Sequence, residues 1–121
     1  MTFEEIKALD HQYVMQSYGR FDVAVDHGRG ATLWDTQGRE YIDFTSGIGV
    51  CSLGYADEGW VNAITEQAGK LGHISNLFYA EPYVKAAEKL CRKAGMSNVF
   101  FANSGAESNE GLIKLARKYS F

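Results

Sequence analysis

Apolar residues recur at helical spacing in four stretches of the chain. Phe3, Ile6, Leu9 and Tyr13 predict a helix over about 3–15, and Thr2 followed by Glu5 three residues on has the form of a capping box. Trp60, Ala63, Ile64, Ala68 and Leu71 predict a second helix over about 58–71. Val84, Ala87, Leu90, Cys91 and Ala94 predict a third, with Lys85, Glu88, Lys89, Arg92 and Lys93 on its wet side. Pro82 suits the first turn of that helix and Gly95 its end. Leu112, Ile113, Leu115, Ala116 and Tyr119 carry a fourth helix to the end of the sequence. Between the first two helices the period changes. Phe21, Val23 and Val25 alternate as a strand would, and Ala31–Trp34 and the run Tyr41, Ile42 and Phe44 read as two more. Turns at Gly28-Arg29-Gly30 and Asp35-Thr36-Gln37-Gly38 join them into a small antiparallel meander. The stretch from Asn98 to Ala102 reads as a buried strand of an α/β sheet.

That last strand has no sequence partner able to lie parallel beside it, and an amphipathic helix ends the sequence with no return strand. The expectation is a piece of a larger protein, with a core too small to bury the faces it presents.

Two connectors are unusual. Thr45 to Gly54 is Gly-rich and uncharged, and His73 to Tyr79 is apolar. Loops of this kind are either irregular buried connections or are covered by a ligand, a neighbouring backbone or another subunit. Composition narrows the rest. The chain has 121 residues, 45% hydrophobic content and a net charge of −3, which suits a folded domain and not a non-specific nucleic-acid binder. There is no run of eighteen apolar residues, and the start lacks the basic and apolar regions of a secretory signal. The default expectation is a soluble cytoplasmic protein with no membrane partner. Cys51 and Cys91 form no pair motif, and His11, His27 and His73 have no metal-ligand spacing.

The chemistry concentrates at Asn103-Ser104-Gly105-Ala106, between the apolar strand and the last helix. A strand–turn–helix junction offers free backbone N–H groups and the positive end of the helix dipole, which is a natural phosphate site. Ser104 adds a hydroxyl, Gly105 clears space and Ala106 keeps the entrance open. Ser104 can equally serve as a plain helix cap. No Gly-Lys-Ser/Thr follows, so this is not a P-loop, and the second and third glycines of a dinucleotide fingerprint are absent.

Taken in order, Tyr18-Gly19-Arg20, Gly28 to Asp35, Gly38 to Phe44, Ser46 to Val50, Ser75 to Tyr79 and Asn103 to Glu110 closely resemble the N-terminal part of class III aminotransferases of the ornithine/acetylornithine type. The resemblance covers nearly the whole chain. It implies an α/β fold, the first part of a fold type I pyridoxal-phosphate-dependent transferase, with residues 1–56 in the small domain and 57–121 opening the large, cofactor-binding domain. It implies pyridoxal 5'-phosphate as cofactor, held at its phosphate by Ser104, Gly105 and Ala106. It implies an amino donor and 2-oxoglutarate as substrates, with N-acetylornithine the favoured donor, and a homodimer partly built from the two uncharged connectors. Tyr18 matches a substrate-receiving tyrosine, although a packed aromatic is the plain alternative. Ile48 stands where ornithine-specific members carry tyrosine, and resembles the acetylornithine type. Glu110 matches a recurrent glutamate, read here as structural.

There are departures. Gly54-Tyr55-Ala56-Asp57 stands where many members have Gly-His and then His-Pro, which puts the start of the second helix in question. Ser108 stands where most have alanine. The lysine that joins the cofactor covalently and the carboxylate beside its ring nitrogen are assigned to no residue of this chain, since all seven lysines fall in helical patterns. Other ω-amino donors (succinylornithine, ornithine, 4-aminobutyrate), an inactive truncated chain and a phosphate-binding module without pyridoxal are the rival expectations.

Overall fold

The computed structural model describes residues 1–120 and forms two compact units, Met1–Gly72 and His73 onward. The first holds α1 (Phe3–Tyr13), β1 (Val25–Arg29), β2 (Thr32–Asp35), β3 (Glu40–Ile42), the short turn α2 (Ser46–Gly49) and α3 (Glu58–Lys70). The second holds α4 (Glu81–Ala94) and α5 (Gly105–Tyr119).

α1 begins as its sequence dictates. The Thr2 hydroxyl accepts from the Glu5 amide at 3.2 Å, and the Glu5 carboxylate accepts from the Thr2 amide at 2.9 Å. The segment after α1 folds back on it through ion pairs of Lys7 with Asp22 at 2.6 Å and Arg20 with Asp10 at 3.2 Å.

The meander is antiparallel in the order β1-β2-β3, as the alternation predicts, but its first strand lies further along the chain. Gly28 and Arg29 are in β1, not in the turn, and pair with Leu33 and Thr32. The turn falls on Gly30 and Ala31, where Gly30 takes the left-handed φ of 57° that a two-residue hairpin favours. Phe21 and Val23 precede the strand because β2 is too short to pair with them. A bulge between Val25 and His27 absorbs Asp26.

Asp35 closes the second turn. Its carboxylate accepts from the Gln37 and Arg39 amides, each at 2.9 Å, from Arg39 Nε at 2.7 Å and from the Tyr41 hydroxyl at 2.9 Å. Burial pushes this carboxyl's pKa up, but the Arg39 amide, the Tyr41 hydroxyl, the Arg39 guanidinium and the Gln37 amide together outweigh it and bring it down to about 2.

α3 starts at Glu58, with Asp57 as cap accepting from the Trp60 amide at 2.9 Å. The departure at 54–57 therefore leaves the helix start where its periodicity puts it. α4 has Pro in its first turn and ends on Gly95 at φ 66°, as expected.

The expected strand at Asn98–Ala102 is not one. It forms a connector without strand pairing, because among the described residues the second unit contains no other strand to pair with it. Within that unit Phe101 packs its ring against Tyr83 at 5.0 Å, and a Cβ on Gly111 would lie 3.5 Å from Phe100.

Among the described residues no apolar side chain is buried, and Asp35, 4% exposed, is the single buried residue. The apolar stripes of α4 and α5 are open: Val84, Leu90, Leu112, Ile113 and Leu115 are all exposed. The expected shortage of core is what the structure has.

Candidate functional site

At the start of α5, Ser104 is extended (φ −151°, ψ 160°) and caps the helix, its hydroxyl oxygen accepting from the Glu107 amide at 3.2 Å. Its carbonyl accepts from the Ser108 amide at 3.0 Å and the Ser108 hydroxyl at 3.1 Å. Glu107 turns back so that its carboxylate accepts from the Asn103 amide at 2.6 Å. The plain reading of Ser104 as a cap is therefore realised, and it does not exhaust the residue. The cap uses a lone pair of the hydroxyl and leaves its proton free to donate. The Gly105 and Ala106 amides, in the first helical turn, have no intrahelical acceptor.

Gly105 is informative in another way. A Cβ built on it would meet nothing within 4 Å, and its φ is not left-handed. Nothing in the chain itself requires glycine there; what glycine preserves is open space over the helix end. Two amides, one hydroxyl and the positive end of a fifteen-residue helix suit a phosphate group. The Glu107 carboxylate shares that end of the dipole and is held aside by Asn103. A cavity of about 300 Å³ runs along the flank of α5, lined by Phe100, Asn103, Glu107 and Lys114 among others, and none of Ser104, Gly105 and Ala106 lines it. Glu110 pairs with Lys114 at 2.6 Å on the exposed face of α5.

In the first unit, Tyr18 is 77% exposed at a cavity of about 530 Å³ whose lining also includes Phe3, Lys7, Asp10, Arg20 and Phe21. It is not a packed aromatic within its unit. No residue beyond Ala24 lines that cavity, so Ile48 is not part of it.

Ile48 sits in α2, which is not an ordinary helix. Ser46, Gly47, Ile48 and Gly49 have φ of 48°, 58°, 61° and 78°, one left-handed turn closed by Gly49 N–H to Thr45 O at 3.1 Å. Glycine accepts this conformation; an L-residue such as Ile48 is disfavoured by about 1–2 kcal/mol. The turn is anchored by a residue that sequence reasoning did not single out. One oxygen of Asp43 accepts from the Thr45 amide and hydroxyl, both at 2.7 Å, and from the Ser46 amide at 3.1 Å. The other accepts from the Tyr55 hydroxyl at 2.7 Å. The Thr45 hydroxyl, then the Tyr55 hydroxyl and the Thr45 amide, bring the Asp43 pKa down to about 2, and the same Asp43 contact pushes Tyr55 up to about 12. The signal available in the sequence was Asp43 followed by Thr45 and Ser46, a pattern of side-chain-closed turns.

A family model described as class III aminotransferase matches residues 13–121. The chain belongs to the class III aminotransferases. A curated relative, the acetylornithine aminotransferase of Haemophilus ducreyi, is 56% identical over 120 residues, which is 99% of this chain and 30% of the relative. Among solved structures, the acetylornithine aminotransferase of Elizabethkingia anophelis superposes with a TM-score of 0.94 at 33% identity, covering 99% of this chain and 31% of that one. The ornithine aminotransferase of Toxoplasma gondii gives 0.92 at 33% identity, with 99% and 28% covered. The chain thus spans about 30% of the length of the acetylornithine aminotransferases it matches.

The class III aminotransferases are pyridoxal-phosphate enzymes of fold type I, and the elements above are part of that fold. A lysine that attacks the cofactor needs a lowered pKa. In this class III chain Lys7 is shifted the other way by its hydrogen bond to Asp22, and Lys85 by its hydrogen bond to Glu81. Lys70, Lys89, Lys93, Lys114 and Lys118 lie exposed on helices.

Proposed function

We propose that this chain works as part of an acetylornithine aminotransferase, which moves the δ-amino group of N-acetylornithine to 2-oxoglutarate, forming glutamate, in arginine biosynthesis. The observation that carries the reading is the 56% identity to such an enzyme along 99% of the chain. Ser104, Gly105 and Ala106 hold the phosphate of pyridoxal phosphate, the serine by its hydroxyl and the other two by their amides. The cofactor, when bound, supplies an electron-withdrawing ring over which the charge of the reacting carbon is spread. Tyr18 and Ile48 line the approach of the amino donor. Residues 1–56 join the small domain and 57–121 begin the large one. The enzyme is read as cytoplasmic and as a homodimer, the dimer alone being supported by the uncharged connectors at 45–54 and 73–79.

The likeness to an ornithine aminotransferase structure supports a second reading, with free ornithine as donor. Isoleucine at position 48 favours the acetylated donor, because an apolar side chain offers no partner to a free charged amino group. The test is a donor panel on the purified product of the complete gene, with glutamate formation as readout. The expected result is a kcat/KM for N-acetylornithine at least ~10-fold above those for ornithine, succinylornithine and 4-aminobutyrate, a difference of about 1.4 kcal/mol in transition-state binding. Faster turnover of any of these three overturns the assignment.

A further inference from the structure

The left-handed turn at 46–49 is held on both sides: the Cys51 amide donates to Ser46 O at 2.8 Å after the turn, and Asp43 and Tyr55 hold the side before it. Tyr55 is pinned to the meander through its backbone: Gly30 donates to Tyr55 O at 2.9 Å and Tyr55 donates to Gly30 O at 2.8 Å. Its ring lies over Gly28, where a Cβ would come within 2.7 Å of the ring carbon Cγ. From that fixed base its hydroxyl reaches Asp43, and Asp43 in turn holds Thr45 and Ser46. The connection therefore runs from sheet to tyrosine to aspartate to turn.

At its tip is Ile48, a β-branched residue at φ 61° whose side chain is 95% exposed. A β-branched residue in the left-handed region goes against its own backbone preference, and here the Asp43 and Tyr55 hydrogen bonds anchor the turn that holds it. Strain of this kind persists where the surroundings over-determine it and where the conformation serves a site. We propose that Asp43 and Tyr55 are positioning residues for the amino donor, holding the 46–49 turn so that Ile48 projects into the donor's path. The proposal rests on the acetylornithine aminotransferase reading for the donor and for the place of Ile48 in its path, and on the hydrogen bonds above for the anchoring of the turn. The clamp is insensitive to pH across the neutral range, since the carboxyl and the phenol titrate far on either side of it.

The experiment uses the purified product of the complete gene and three variants: Tyr55→Phe, Asp43→Asn and Ile48→Ala. Amide hydrogen exchange of the peptide covering 43–55 reads the clamp, and steady-state kinetics reads its consequence. Tyr55→Phe is expected to speed exchange in that peptide at least ~10-fold, as loss of a charge-assisted hydrogen bond would. It is expected to raise the amino-donor KM by about 3–10-fold, while kcat and the oxoglutarate KM change by less than about two-fold, the pattern of lost donor binding. Adding Tyr55→Phe to Ile48→Ala raises the donor KM no further, because both act through one side chain. If Tyr55→Phe does not fold, Asp43→Asn is read in the same way. Unchanged exchange overturns the clamp. Faster exchange with an unchanged donor KM, or equal effects on donor and 2-oxoglutarate, overturns the positioning role. If the panel finds another ω-amino donor, the donor assignment falls and the same kinetics on that donor decide the proposal. A wild-type protein with no transamination overturns both.

Discussion

Asp35 shows how one side chain can organise a turn. Four donors converge on a carboxylate withdrawn from water, and its pKa falls to about 2 from an ordinary 3.8. A depressed carboxyl contributes stability that is complete above its unfolded pKa and is lost as pH falls through the folded one. The meander is therefore expected to hold at neutral pH and to loosen between about pH 4 and pH 2, with Asp43 adding to the effect in the same window. Thermal melts of the complete gene product across that range check it: Asp35→Asn lowers Tm at pH 7, and its difference from wild type shrinks toward pH 2. Ser104 and Gly105 give a second pair of predictions. Ser104→Ala removes a cap worth about 1 kcal/mol and, under the proposed function, a hydrogen bond to the cofactor phosphate worth about 1.5–3 kcal/mol. Pyridoxal phosphate should bind roughly 10- to 100-fold more weakly, at about 1.4 kcal/mol per tenfold, as read by titration of cofactor fluorescence. Gly105→Ala meets no atom of the chain. It should leave the fold intact and still weaken cofactor binding; a normal affinity would contradict the open-space argument.

Elements were legible where periodicity speaks and illegible where it is silent. α1, α3, α4 and α5 lie within two residues of their predicted ends, because amphipathic spacing, caps and Gly95 all agree. The cap of α5 was legible for the same reason, since Ser104 before a helix has a cap's chemistry. Hydrophobic spacing carries no information on the sign of φ, so the left-handed turn at 46–49 was hidden, with Gly47 and Gly49 and the Asp43, Thr45, Ser46 pattern as its traces. The connector at 98–102 was misread as a strand because an apolar run states only a wish for burial, and pairing needs a neighbour. At this scale Gly54 is the most demanding position. Its φ is 80°, and a Cβ would stand 2.9 Å from the Gly30 carbonyl oxygen. Gly54→Ala should destabilise the complete protein by about 1–3 kcal/mol in urea unfolding by parting Gly30 from Tyr55. It should also disturb the turn that carries Ile48.

At the scale of the chain the governing fact is that, among the described residues, helices present apolar stripes and none of their side chains is buried. Folding stability is a small surplus of burial over chain entropy, and neither unit collects that surplus from its own residues. The isolated 121-residue chain is expected to bind hydrophobic dyes, to melt without a sharp transition and to show no transamination, since no lysine in it suits attack on the cofactor. A cooperative melt would contradict this. The central claim concerns the chain's place in an aminotransferase, and glutamate formation tests it most directly. The purified product of the complete gene, supplied with pyridoxal phosphate, N-acetylornithine and 2-oxoglutarate, is predicted to form glutamate, and the Ser104→Ala variant to need more cofactor to reach the same rate. A product that forms no glutamate from N-acetylornithine or any other ω-amino donor, at any cofactor concentration, would contradict the account.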